Sequence, residues 1–341
     1  VTIVDHSVIS PGELDGPMLV PLSREVSWER IQRLSQQHAR GVDAELIETV
    51  RATAVVRRGT RMVKPLPARA VAGVLRGAVV SGFCYRGYDT ASLRSPGDWS
   101  VLGADPSAPV TFVLRWRAVD PVDYAYPKAG GGLSAIPAHE RVGPPVLGTG
   151  FAPSSTELIP EFHTADFADL PLTANASLIA YTPDGSEAIL YTYQPEQRGW
   201  LRLAGPQWRP LLYGLPGVAP EQEYHPLHGE RAFSRLVGRF QEAEHDAVAD
   251  PPETFRVLAM SRAARFPVDS LARRTRYARW RGVLCTGVGA EGDWARLRIS
   301  DPDAVTVAAT GAQCQERGVY EVWAPVAELT EVHDMDLYYE I

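Results

Sequence analysis

The chain has 341 residues, 45% apolar and 22% charged, with a formal net charge of −7. That length suits two or three domains, and the acidic balance argues against a non-specific nucleic-acid binder, which would be basic. No apolar run reaches the roughly 18 residues of a membrane-crossing helix, and Val1-Thr2-Ile3-Val4-Asp5-His6 lacks the basic and apolar regions of a secretory signal, so a cytoplasmic protein without membrane or nucleic-acid partners is expected.

In chain order, residues 1–22 are broken by Pro11-Gly12, Gly16-Pro17 and Pro21. Trp28, Ile31 and Leu34 then repeat at helical spacing behind Ser23 or Ser27, and Asp43 can cap a second helix with Leu46, Ile47 and Val50 on one face. The spacing predicts an N-terminal helical hairpin within segment 1–70. From Val71 the pattern turns β-rich: Phe83-Cys84-Tyr85, Val110 to Trp116, Leu178 to Tyr181, Ala188 to Tyr193 and Trp200 to Leu203 read as strands. Asp184-Gly185 is the turn of a β-hairpin. Residues 71–215 are therefore expected to form one β-rich α+β domain.

Residues 216–275 read as a linker and an amphipathic helix, roughly Glu230 to Glu244, with Phe233, Leu236, Val237 and Phe240 on one face. From about Arg276 short strands and turns alternate, as in Trp294-Ala295-Arg296-Leu297-Arg298-Ile299, and residues 276–341 are expected to close into a small SH3-like barrel. The expected fold class is α+β. Cys84, Cys285 and Cys314 are odd in number and lack C-x-x-C spacing, so buried thiols are expected and neither a disulfide framework nor a zinc site. His163, with Glu161 and Asp166, has no recurring ligand geometry, and no metal site is expected.

One constellation carries chemistry. Arg86 sits in the apolar run Gly82 to Asp89, a hydroxyl cluster follows at Ser154-Ser155-Thr156, and Glu187 opens a strand. An arginine on a strand can pair with a phosphate, a hydroxyl can support a ribose, and a carboxylate can balance an oxocarbenium-like charge. For Arg86 the competing reading is an ion pair with Asp89. For Glu187 it is a solvated carboxylate beside a hairpin turn.

Tyr85-Arg86-Gly87, Ser154-Ser155-Thr156 and Glu187 resemble the arginine, serine and glutamate motifs of ADP-ribosyltransferases, over about residues 82–200. The resemblance implies NAD as the cofactor, held by Arg86 and Tyr85, and Arg86, Ser154, Ser155 and Glu187 as catalytic residues. It departs from the family at Gly185, where a second acidic or amide residue is usual. Gln194-Pro195-Glu196 has the Gln-x-Glu pattern but follows a strand instead of opening one. Gly82-Phe83 to Arg94, Gly148 to Phe151, Ile159 to Phe162 and the Gly185 hairpin are also similar to uncharacterised proteins of actinobacterial polymorphic toxin systems, which implies a toxin, immunity or accessory setting.

Two functions follow. One is a non-catalytic protein-binding module, an immunity or accessory protein of a bacterial toxin system. The other is an NAD-consuming toxin. For the first, the acidic C-terminus (Glu328, Glu331, Asp334, Asp336 and Glu340 around Tyr338 and Tyr339) suits a basic partner such as a toxin domain.

Overall fold

The computed structural model describes residues 2–3, 26–27, 55–78, 80, 82–118, 122–123, 151–153, 158–160, 162–164, 176–227, 234–250, 254–258, 265–300, 302, 304–316 and 319–339. Strand β1 (Thr2–Ile3) pairs with β2 (Val26–Ser27). Next come β3 (Val55–Val56), β4 (Arg61–Leu66), helix α1 (Ala68–Leu75), β5 (Phe83–Arg86), the single turn α2 (Pro96–Trp99), β6 (Thr111–Arg117) and β7 (Val122–Asp123), which pairs with β3. β8 (Phe151–Pro153) pairs with β9 (Leu158–Pro160). β10 (Phe162–His163), β11 (Ser177–Tyr181), β12 (Glu187–Gln194), β13 (Gly199–Arg202), the turn α3 (Pro210–Tyr213) and β14 (Tyr224–Pro226) follow.

Eight of these strands form one antiparallel sheet in the order β10-β5-β4-β6-β11-β12-β13-β14. Side chains alternate across it, and both faces are apolar. One face carries Met62, Leu66, Cys84, Phe112, Leu114, Trp116, Leu178 and Ala180 against Val71, Val74 and Leu75 of α1. The other carries Val63, Tyr85, Val113, Ile179 and Tyr181 against Trp99 and Leu102. Pro67 leads into α1, where its missing N–H costs no helical bond, and Gly77 at φ 93 ends it. Ser95 and Asp98 cap α2 reciprocally, and the backbone N–H groups of Ser95 and Arg94 hold the Asp98 carboxyl below its ordinary value.

The Asp184-Gly185 turn joins β11 to β12 as the sequence predicts, with Gly185 at φ 81 and the Asp184 carboxylate accepting from Ser186 N at 3.2 Å. Gly199 is required for a different reason. A Cβ there would lie 2.6 Å from the His225 carbonyl oxygen and overlap the Tyr224 ring. Gly199→Ala is therefore expected to destabilise the chain by about 1–3 kcal/mol, the usual cost of overpacking, read as a lowered urea midpoint with an unchanged denaturant slope.

The second sheet uses β15 (Ser234–Phe240), β16 (Ala243–Asp250), β17 (Thr254–Leu258), β18 (Arg265–Pro267), β19 (Ser270–Trp280), β20 (Val283–Glu291), β21 (Trp294–Ile299), helix α4 (Ala304–Thr310), β22 (Gln313–Glu316), β23 (Val319–Pro325) and β24 (Thr330–Tyr339). Its ten strands run β18-β17-β16-β15-β19-β20-β21-β23-β22, with β24 paired to β19. β19 is the spine: along one edge it pairs β15 and then β20, and β24 follows it from Leu271 to Arg279. Trp280, Cys285, Leu297, Ile299, Tyr320 and Val322 build the core beneath Val307 of α4.

Two expectations are corrected, and a third meets the described residues at two positions alone. The fold is not α+β: the described residues are mostly β, in two large antiparallel sheets with four short helices among them. The expected N-terminal helical hairpin lies outside the described residues except for Val26–Ser27, which is strand and not helix. In place of a small SH3-like barrel from Arg276, a ten-stranded sheet begins at Ser234.

Within the expected helix from Glu230 to Glu244, the described residues from Ser234 onward belong to the β15–β16 hairpin. Leu236 and Val237 are both buried, so this strand is covered on its two faces and its apolar residues mimic helical spacing. Its turn places Gln241 and Glu242 at φ 50 and 66, positions that a sequence usually marks with Asn or Gly.

Candidate functional site

Arg86 ends β5 and lies on the α1 side of the first sheet, in one row with Met62 and Trp116. Its guanidinium is committed locally. Nε donates to Asp89 Oδ2 at 2.6 Å, Nη2 to Asp89 Oδ1 at 3.3 Å, and Nη1 to the Val55 carbonyl at 3.0 Å. The Tyr88 and Phe162 rings lie 4.5 and 5.8 Å from the guanidinium carbon. Only 10% of the Arg86 side chain and 15% of that of Asp89 remain exposed, so this forked pair is largely withdrawn from water. Tyr85, one residue earlier, points to the other face and is buried with Val63 and Val113.

Glu187 opens β12 opposite Tyr181, which in turn pairs with Thr111 of β6. This places it on the Tyr85 face, away from Arg86. Its Oε1 accepts from Arg115 Nη1 at 2.7 Å and its Oε2 from the Tyr181 hydroxyl at 3.0 Å, while Arg94 Nη1 lies 3.7 Å away. Burial, reinforced by the Glu187 charge, pushes the Tyr181 phenol up to about 12, so it stays a proton donor at neutral pH. The Tyr181 ring packs 5.3 Å from that of Trp99.

The structure does not bring Arg86 and Glu187 together. Their strands stand in the order β5-β4-β6-β11-β12, about 19 Å apart at the usual strand spacing, and the side chains leave opposite faces. Each charge is met by its own neighbours. Ser154 and Ser155 lie outside the described residues, as does Thr156. Glu196 of the alternative Gln-x-Glu pattern falls in the 3-10 turn Pro195–Gln197 after β12. Among the described residues no group of three or more His, Cys, Asp or Glu could hold a metal. Cys84 and Cys285 are buried thiols, Cys84 donating from Sγ to the Phe162 carbonyl at 3.4 Å, and burial pushes the Cys285 thiol up to about 11, which leaves it unreactive at neutral pH.

Two buried polar features escape sequence reasoning. Glu321, 1% exposed, is gripped by Arg296 and Arg298 on the face of the second sheet opposite its apolar core. The alternation of Arg296 and Arg298 with Leu297 reads as a solvated face, and only the register that sets Arg298 opposite Glu321 reveals the pair. His225 of β14 lies beside Tyr191 and opposite Trp200, 8% exposed, and its Nε2 has no hydrogen-bond partner among the described residues.

Burial foremost, then the Arg76 and Arg202 charges, holds the His225 imidazole below its ordinary 6.5. The folded state therefore resists a proton that the unfolded chain accepts. The stability this contributes is present above about pH 6.5 and is lost as pH falls below it toward the depressed folded value. Urea unfolding should show a lower midpoint at pH 5.5 than at pH 7.5, and His225→Phe should shrink that difference.

No protein-family model matches the chain, and neither the curated proteins nor the solved structures contain a significant match.

Proposed function

We propose that the chain is a non-catalytic protein-binding module. The observation that supports this reading is the separation of Arg86 from Glu187 onto opposite faces of one sheet, each neutralised by neighbours whose geometry leaves no shared cleft. The NAD-consuming alternative needs those two side chains around one ribose, and the separation counts against it. The binding half of the proposal rests on the C-terminal strand β24, where Glu331, Asp334 and Asp336, each ion-paired with an arginine of β19 (Arg279, Arg276 and Arg274), line an edge that suits a protein with a basic surface. In a toxin system such a module would serve as an immunity or accessory protein, with a basic toxin domain as its partner.

Chemical cross-linking in the native source, followed by mass determination, tests the proposal. A discrete species in which this chain is joined to a second and basic protein is expected. The chain recovered alone at its cellular concentration would contradict it.

A further inference from the structure

The sheet edges of this protein are not alike. β10 has two residues, β14 three, β18 three and β22 four, and both β14 and β18 end on proline. Short strands and prolines are common ways to keep an edge from recruiting another strand. β24 is the exception. It has ten residues, contains no glycine or proline, and pairs only β19 among the described residues. Nearly every side chain along it is exposed, with Val332 at 53%, Met335 at 51%, Leu337 at 49% and Tyr338 at 70%.

The two faces of β24 differ. Opposite Arg276 and Arg274 of β19 stand Asp334 and Asp336, and Val332 and Tyr338 share their side. The other side carries His333, Met335 and Leu337, with His333 stacked on Tyr277 at 5.8 Å. An added strand would set its side chains beside these rows in alternation. In one row the Asp334 and Asp336 carboxylates already accept forked bonds from Arg276 and Arg274 at 2.7 to 2.8 Å, and a cation on the added strand would hold each of them between two positive strands. The other calls for apolar groups against Met335 and Leu337. A second copy of the chain fits poorly. The two antiparallel registers of greatest overlap that keep like faces together, centred on Asp334 and on Met335, set Asp334 of one copy opposite Asp334 or Asp336 of the other, and like charges directly opposite destabilise a ladder.

We infer that the outer edge of β24 receives an extended segment of a partner protein in which basic and apolar residues alternate, adding an eleventh strand to the ten-stranded sheet. This rests on the protein-binding reading and specifies its partner.

The probe is a capped eight-residue peptide of alternating arginine and valine, with a glutamate–valine peptide as its counterpart, and the readout is amide hydrogen exchange of the intact chain. The arginine–valine peptide is expected to slow exchange at least tenfold for the amides within residues 330–339 that face away from β19. The glutamate–valine peptide should leave them unchanged. Met335→Lys combined with Leu337→Lys, both at exposed positions, should abolish the protection while leaving the urea midpoint in place.

Unchanged exchange in 330–339, equal protection by both peptides, or protection confined to other amides would overturn the inference. Formation of dimers through this edge without peptide would overturn it in favour of self-pairing. None of these outcomes removes the protein-binding reading, which fails separately if cross-linking recovers the chain alone.

Discussion

Glu321→Gln is expected to cost about 3–5 kcal/mol of folding stability, the range seen when one partner of a buried ion pair is removed. Glu321 is 1% exposed and accepts from Arg296 Nε at 2.7 Å and from Arg298 Nε and Nη2 at 3.2 and 3.1 Å. Glutamine keeps the shape but loses the charge. Two guanidiniums, that of Arg298 only 9% exposed, would then repel each other from neighbouring positions on one face of β21. Burial alone pushes the Glu321 carboxyl up, but the Arg296 and Arg298 charges and hydrogen bonds outweigh it and hold the group below its ordinary 4.5.

The sign for pH follows from that depression. The stability from Glu321 is complete above about pH 4.5 and is lost as pH falls through the folded value. Equilibrium urea unfolding at pH 7 checks the first expectation, with the midpoint falling and the slope unchanged. A comparison at pH 7 and pH 4 checks the second, since the gap between wild type and Glu321→Gln should narrow in acid. Replacing Glu321, Arg296 and Arg298 together by apolar residues of similar volume should recover most of the loss, because the desolvation cost of all three charges disappears. An unchanged midpoint in Glu321→Gln would contradict the buried arrangement.

Arg86→Ala is expected to cost about 3 kcal/mol through the fold. Its removal takes the forked cation from the Asp89 carboxylate, whose side chain is 15% exposed, and a donor from the Val55 carbonyl. The same change in an NAD-binding arginine would leave stability nearly untouched and act on ligand affinity. Asp89→Asn in the Arg86→Ala background should therefore add little further loss. The double-mutant cycle should return a coupling of about 1–3 kcal/mol, as for residues in direct contact. Additive losses would mean that the pair is not formed.

Much of the local structure was legible because local chemistry decides it. Asp184-Gly185 supplies the positive φ of a hairpin turn, and the β-branched and aromatic run Thr111 to Trp116 makes the strand β6. The ion pair of Arg86 with Asp89 was also within reach, because three residues of spacing lets a strand end fold back on itself. The β15 hairpin was not. Two adjacent buried residues break the two-residue alternation, and Gln241-Glu242 is not a turn signal.

The separation of Arg86 from Glu187 was hidden for a different reason. It depends on pairing register carried across β4, β6 and β11, and a shift of one residue at any step would reverse the face. The same non-local register hides the meeting of Glu321 with Arg296 and Arg298, whose strands are joined through α4 and β22.

The central claim is that Arg86 and Glu187 do not form a catalytic pair. Its most direct test is nicotinamide release from NAD by the purified chain, measured beside Glu187→Ala and a protein-free control. Equal release from all three, at the spontaneous rate, is the predicted result. Release by the wild-type chain that disappears in Glu187→Ala would contradict the account.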